Sequence, residues 1–191
     1  MRTEQPVAPL VVVVTGPPAA GKTTIARELA ERLELPLLEK DAIKEVLYDT
    51  LGHGNRARSR QVGGAAFELL LDLTARLLRA GVSLVLEANF AVETAERWFA
   101  QLPPCRVLQL LVTAPDDAVL GRYVARAVSG DRHPGHADME ALSEIENSVA
   151  TGRHGVLALP GRVVELDSSS HVDVDALAEL VRNELHAHFE P

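Results

Sequence analysis

The segment Gly16-Pro17-Pro18-Ala19-Ala20-Gly21-Lys22-Thr23 sets two glycines five positions apart and follows them with a lysine and a hydroxyl residue. Each position suits one task. Glycine lets the backbone turn and approach a ligand that a Cβ would block. Successive backbone N–H groups then face one concavity, which binds an anion. A helix beginning near Lys22 adds the positive end of its dipole. Lys22 can reach the β- and γ-phosphates of a nucleotide, and the Thr23 hydroxyl can ligate Mg²⁺, with Thr24 beside it. The segment matches G-x-x-x-x-G-K-[ST] without a mismatch, and it predicts a site for a nucleoside triphosphate.

Other residues of chemical interest lie further along. Asp41 follows a short apolar run, "LPLLEKD". That places it at the carboxyl edge of a sheet, where ligands of open α/β folds bind. Asp is also a good N-cap for a helix over 42–51. Glu87 and Asn89 end the run "VSLVLEANF". A carboxylate there can hold Mg²⁺ through water, or it can be a buried acid bonded to nearby backbone. Arg122 and Arg126 are four apart and share a helix face, and Arg132 follows in a loop. His133, His136 and Asp138 flank Pro134-Gly135, a turn signal. Their types would allow metal ligation, but two histidines in one exposed loop are more often simply polar, and a loop tip that touches substrate or phosphate is a better functional reading than a metal site. Arg56, Arg58 and Arg60 form a basic cluster that either grips an anionic substrate or is solvated.

These residues need a scaffold. Residues 10–14, LVVVV, read as a strand covered on both faces. Ile25, Leu29, Ala30 and Leu33 repeat helically over 22–33. Strands are expected near 35–41, 82–90, 106–114 and 162–166, and helices over 22–33, 42–51, 65–80, "ETAERWFAQL", 115–130, 139–152 and 173–188. The stretch 53–64 has no apolar period and reads as a mobile loop. The alternation predicts an α/β fold, a five-stranded, mostly parallel sheet sandwiched by helices, with right-handed crossovers. The 191 residues are read as one domain with a tail over 1–8.

The formal net charge of −8 argues against nucleic acid as the main partner. Cys105 is the lone cysteine, so no intrachain disulfide forms. No secretory signal or membrane span is visible, and a cytoplasmic location is the expectation. The sequence sets no oligomeric state.

The order of the phosphate loop, "EKDAIKEVL", "VLEANF" and "TAPDDAVLGRYVARAVSGDRHPGH" resembles the small P-loop kinases. These include the groups of chloramphenicol phosphotransferase, the zeta-toxin kinases, gluconate kinase and the 5′-hydroxyl polynucleotide kinases. The resemblance runs from about Val11 to Leu166. It implies a P-loop NTPase fold with a small lid over about 128–139, and an ATP- and Mg²⁺-dependent kinase. In such kinases the aspartate of a D-x-x-[RK] segment, here Asp41 to Lys44, takes the proton of the acceptor hydroxyl. Lysine at 44, where polynucleotide kinases commonly carry arginine, loses bidentate phosphate recognition. The resemblance also implies that Arg122 stacks on adenine near the loop 167–170, that Arg126 and Arg132 meet the transferring phosphoryl group, and that Glu87 and Asn89 face the acceptor. The implied acceptor is a hydroxyl of a small molecule such as an antibiotic, a sugar, a nucleoside or a nucleotide sugar. The alternatives are a 5′-hydroxyl polynucleotide kinase and a nucleotide-binding regulatory module with little turnover.

Overall fold

The computed structural model describes residues 7–187. Most of the tail expected over 1–8 therefore lies outside the described residues, although the Ala8 carbonyl accepts a hydrogen bond from Arg106 Nε at 2.9 Å.

In chain order the elements are β1 (Leu10–Thr15), α1 (Lys22–Leu33), β2 (Leu37–Glu39), α2 (Lys40–Leu51), α3 (Arg56–Arg79), β3 (Leu84–Glu87), α4 (Val92–Phe99), β4 (Arg106–Thr113) and α5 (Asp116–Ser129). A single 3₁₀ turn (Pro134–His136) leads into α6 (Asp138–Ala150), then β5 (Arg162–Asp167) and α7 (Val174–His186). The five strands form one sheet in the order β2-β3-β1-β4-β5. Every pairing is parallel. All five carboxyl ends therefore lie along one edge, where loops from distant parts of the chain converge.

The β-branched run of β1 sits at the centre, and all six of its residues are buried. Alternate side chains serve opposite layers. Val12 and Val14 pack with Ile25 and Leu29 of α1 and with Leu177 and Val181 of α7. Val11 and Val13 pack on the other face with Leu70 and Leu78 of α3 and with Phe90 and Phe99. Burial on both faces is why β1 shows no polar alternation. No helix of the described residues is long and apolar enough to cross a membrane.

Two expectations are corrected. The stretch 53–64 is not a loop: from Arg56 onward it is the first third of α3, a 24-residue helix. Asn55 caps it, its side chain accepting from the Arg58 N–H at 3.2 Å, as a good N-cap does. The buried stripe Ser59, Val62, Ala66 and Leu70 keeps helical spacing, but its first member is polar, which hides the period. Gly63 and Gly64, which disfavour helix by about 1 kcal/mol each relative to Ala, hide it further. The second correction concerns α2. It begins at Lys40 with Glu39 at the N-cap, so Asp41 is no cap. It stands inside the first turn, and its carboxylate is engaged elsewhere.

Candidate active site

A cleft of about 800 Å³ opens at the carboxyl edge of the sheet. Its nucleotide end is the loop between β1 and α1. Gly16 has φ 138°, and a Cβ there would lie 2.0 Å from the Val112 carbonyl oxygen. The loop is thereby pressed onto β4, and only glycine fits. Ala19 at φ 62° and Gly21 at φ 89° turn the backbone again before α1 starts, the alternation that makes an anion-binding nest. Pro18, Ala19, Gly21, Lys22, Thr23 and Thr24 face the cleft. Pro17 and Ala20 shape the turn, joined by a hydrogen bond from Ala20 N to Pro17 O at 3.3 Å. Lys22 is buried and its Nζ donates to the Pro17 carbonyl at 2.8 Å. Burial lowers its pKa, while Glu87 and Asp41 pull the other way.

Glu87 ends β3, 5% exposed and facing the cleft. Burial raises its pKa, and the Lys22 charge opposes that rise. Asn89 lies just beyond, with its side-chain oxygen 3.5 Å from Lys40 Nζ. Thr23 and Glu87 offer hard oxygen donors in one cleft, a set that suits Mg²⁺ sharing its shell with phosphates and water. No cluster of three or more His, Cys, Asp or Glu among the described residues could hold a metal by itself. The residues His133, His136 and Asp138 therefore do not make one.

Asp41 is the hub of the opposite wall. Lys40 Nζ donates to its Oδ1 at 2.8 Å, and Arg132 Nη2 donates to Oδ2. Burial would raise the Asp41 pKa, but the charges of Lys40 and then Arg132 outweigh it and hold the carboxyl well below the usual range. Arg132 reaches Asp41 across 91 positions of sequence. Its Nη1 also donates to both oxygens of Asp138, at 2.8 and 3.0 Å, and Tyr123 donates to Asp138 Oδ1 at 3.1 Å. Arg126 of α5 lies over the Tyr123 ring, 5.4 Å from its centroid. Its Nε is buried without a hydrogen-bond partner among the described residues. Burial lowers the Arg126 pKa, and Arg132 adds to that. At the far end Arg122 donates to Ser168 Oγ and to the Ser168 carbonyl, each at 3.0 Å. Ser168 also lies against Gly21, so this arginine is fixed beside the phosphate loop.

The remaining wall comes from α2, α3 and α6. Lys44, Arg56, Arg60 and His136 all line the cleft. His133 does not: it stacks on Tyr48 with centroids 5.0 Å apart, and its Nε2 lies 3.2 Å from Asp49 Oδ1. The 3₁₀ turn tucks His136 beneath it, 3% exposed, with Nε2 2.8 Å from Glu45 Oε1. Arg58 points away to Gln61 and the Leu51 carbonyl.

Several residues of this site escaped the sequence reading. Lys40 adjoins Asp41 and could have been flagged by adjacency. Glu144 and Ser59 carried no local signal, because Glu144 meets Arg56 and Ser59 meets His136 from remote parts of the chain, and Asp138 was singled out for its type but not as the partner of Arg132 and Tyr123. His154 also lines the cleft, its Nδ1 2.9 Å from the Phe90 carbonyl.

A sequence profile of a family described as "AAA domain" matches residues 11–150. The chain belongs to this family. A solved protein of Chloroflexus aurantiacus with a provisional kinase assignment is 35% identical, spans 94% of this chain and 100% of its own, and superposes with a TM-score of 0.83. A sugar kinase of Janibacter shares 19% identity with 94% and 96% coverage and a TM-score of 0.60, a likeness of fold alone. Among curated proteins, a tRNA dimethylallyltransferase of Synechococcus is 42% identical over 66 residues, 35% of this chain. That match spans only 21% of the relative's length. This AAA-domain chain thus has the P-loop fold of the small kinases, and its likeness to the Chloroflexus protein supports a phosphotransferase.

Proposed function

We propose that the protein is an ATP- and Mg²⁺-dependent kinase that transfers the γ-phosphoryl group to a hydroxyl of a small molecule. One observation carries this reading: Lys22 of the phosphate loop and the Asp41 carboxylate face one cleft, with Arg126 and Arg132 facing the same space from α5 and the loop after it. The backbone of residues 16–24 cradles the phosphates. Lys22, Arg126 and Arg132 meet charge on the transferring group, where fixed donors lower the barrier. Arg122 and Ser168 border the base of the nucleotide. Thr23 and Glu87 would hold Mg²⁺, which when bound neutralises phosphate charge.

Asp41 orients the acceptor hydroxyl. As the oxygen of that hydroxyl bonds to the γ-phosphorus, the bond to the leaving ADP oxygen breaks and the proton passes to the Asp41 carboxylate. A carboxylate held at low pKa accepts that proton late, once the hydroxyl has become acidic in the transition state. Arg132 is shared between Asp41 and Asp138. Movement of its guanidinium from Asp41 to the γ-phosphate would free the base only when nucleotide is present. The segment 128–139 acts in this reading as a lid. The need for ATP and the lone cysteine fit a cytoplasmic reaction.

The test is a panel of hydroxyl compounds and 5′-hydroxyl oligonucleotides incubated with radiolabelled ATP and Mg²⁺. Label transfer to a small alcohol, lost in Lys22→Ala, is expected. Transfer to oligonucleotides alone would overturn the small-molecule assignment, and tight ATP binding without transfer to any acceptor would overturn the kinase assignment.

A further inference from the structure

Nine lysine and arginine side chains but only four carboxylates line the cleft, in a chain of net charge −8. Six of the cations, Lys22, Lys40, Arg122, Arg126, Arg132 and Arg153, stand with Asp41, Glu87 and Asp138 around the phosphate loop and Asp41, where a bound triphosphate supplies further negative charge. On the wall made by α2, α3 and α6, Lys44, Arg56 and Arg60 stand with the single carboxylate of Glu144, which takes the two arginines.

That wall is built with care. The Ser59 hydroxyl is fully buried. It donates to the His136 carbonyl at 3.1 Å and accepts from Tyr48 at 2.8 Å and from Lys44 at 3.0 Å. Lys44, 6% exposed, thus gives its ammonium to a neutral hydroxyl rather than to a carboxylate. A buried charge without a counter-charge is costly, and a structure keeps one where a ligand supplies the partner. Burial and the Lys40 charge bring the Lys44 pKa down to about 8, against the opposing pull of Asp41. One helical turn apart on α3, Arg56 and Arg60 grip the two oxygens of Glu144 from the same side, Arg56 at 2.7 Å. One carboxylate cannot neutralise both guanidinium groups.

We propose that the acceptor is itself an anion, carrying a carboxylate or a phosphate that binds between α2 and α3 at Lys44 and the Arg56–Arg60 pair. The inference rests on the kinase reading only for the word acceptor; the anion site stands or falls by binding. Its placement on α2, one turn beyond Asp41, would hold the molecule by its charged end and leave a hydroxyl to face Asp41.

The experiment uses the full chain saturated with Mg²⁺ and a non-hydrolysable ATP analogue, so that the phosphate loop is filled. Inorganic phosphate and malonate are titrated separately by calorimetry at constant ionic strength. Saturable millimolar binding of one of them is expected: tighter phosphate points to a phosphorylated acceptor, tighter malonate to an acid. Lys44→Met and Arg60→Gln should each weaken that binding about tenfold, the loss of one charge-assisted hydrogen bond, while affinity for the ATP analogue stays within about threefold. Absence of binding by both anions, or equal binding in both variants, overturns the proposal. So does an acceptor panel in which neutral alcohols outrun their acid and phosphate counterparts, and that result would leave the kinase reading intact. Anion binding as expected with no transfer to any acceptor would fail the kinase reading alone.

Discussion

The two ends of the cleft are built on different principles. The nucleotide end is mostly backbone, one contiguous segment turned by Gly16, Ala19 and Gly21 between β1 and α1. The acceptor end is mostly side chains, brought together from α2, α3, α6 and the turn before it, and three of its hydrogen bonds join residues 77 to 91 positions apart. Backbone groups recognise what every nucleoside triphosphate shares. Side chains recognise what differs between acceptors. A fold that keeps the first and varies the second can change its substrate without changing its chemistry.

Substitutions should separate the two ends. The largest effect belongs to Lys22→Ala, which should lower phosphoryl transfer by about 10³-fold with the fold retained, checked by single-turnover kinetics beside circular dichroism. Near wild-type turnover would show that this loop does not hold the reacting phosphates. Asp41→Asn should lower transfer by about 10²-fold or more while nucleotide affinity changes little. Because Asp41 does not cap α2, any loss cannot be assigned to helix fraying, and a rate within a few-fold of wild type would deny it the role of base.

Arg132→Ala should reduce kcat by about 10²-fold, more than it weakens ATP binding, as expected for a contact made chiefly in the transition state. Hydrogen exchange across 128–139 should slow when nucleotide and acceptor bind together. Slow exchange that ligands leave unchanged would identify the segment as a fixed turn.

His136 offers a smaller test. Burial, followed by the Arg132 charge, brings its pKa down to about 4, against the opposing pull of Asp41 and Glu45. The ring is neutral in the folded protein and takes up a proton more readily on unfolding. Its contribution to stability is therefore complete above an unfolded pKa of about 6.5 and is lost as pH falls through about 4. Ring chemical shifts should titrate near 4, and His136→Gln should flatten the decline in denaturant midpoint between those pH values. A midpoint near 6.5 would show that the turn holding His136 is not packed as described. The smallest effect is at Arg122→Ala, a few-fold loss of nucleotide affinity with little change in kcat, because this exposed arginine borders the nucleotide away from the reacting phosphorus.

What the sequence determined by itself was local. The phosphate loop was legible because its function needs consecutive residues, each with a backbone requirement that restricts its type. The parallel sheet was legible because strands buried on both faces must be continuously apolar, as in Val11 to Val14. The start of α3 was not legible: its inward stripe opens with Ser59, whose partners Lys44, Tyr48 and His136 exist only once the helices have packed. Asp41 could be singled out by its place after β2, but not as the carboxylate clasped by Lys40 and Arg132. Glu144 read as one more acid on an amphipathic helix until α6 lay beside Arg56 and Arg60. Electrostatic partners separated by half the chain leave no periodic trace, because a Coulomb interaction depends on distance in space and carries no rule of spacing along the sequence. Tertiary structure alone decided which charges are matched and which are left for a ligand.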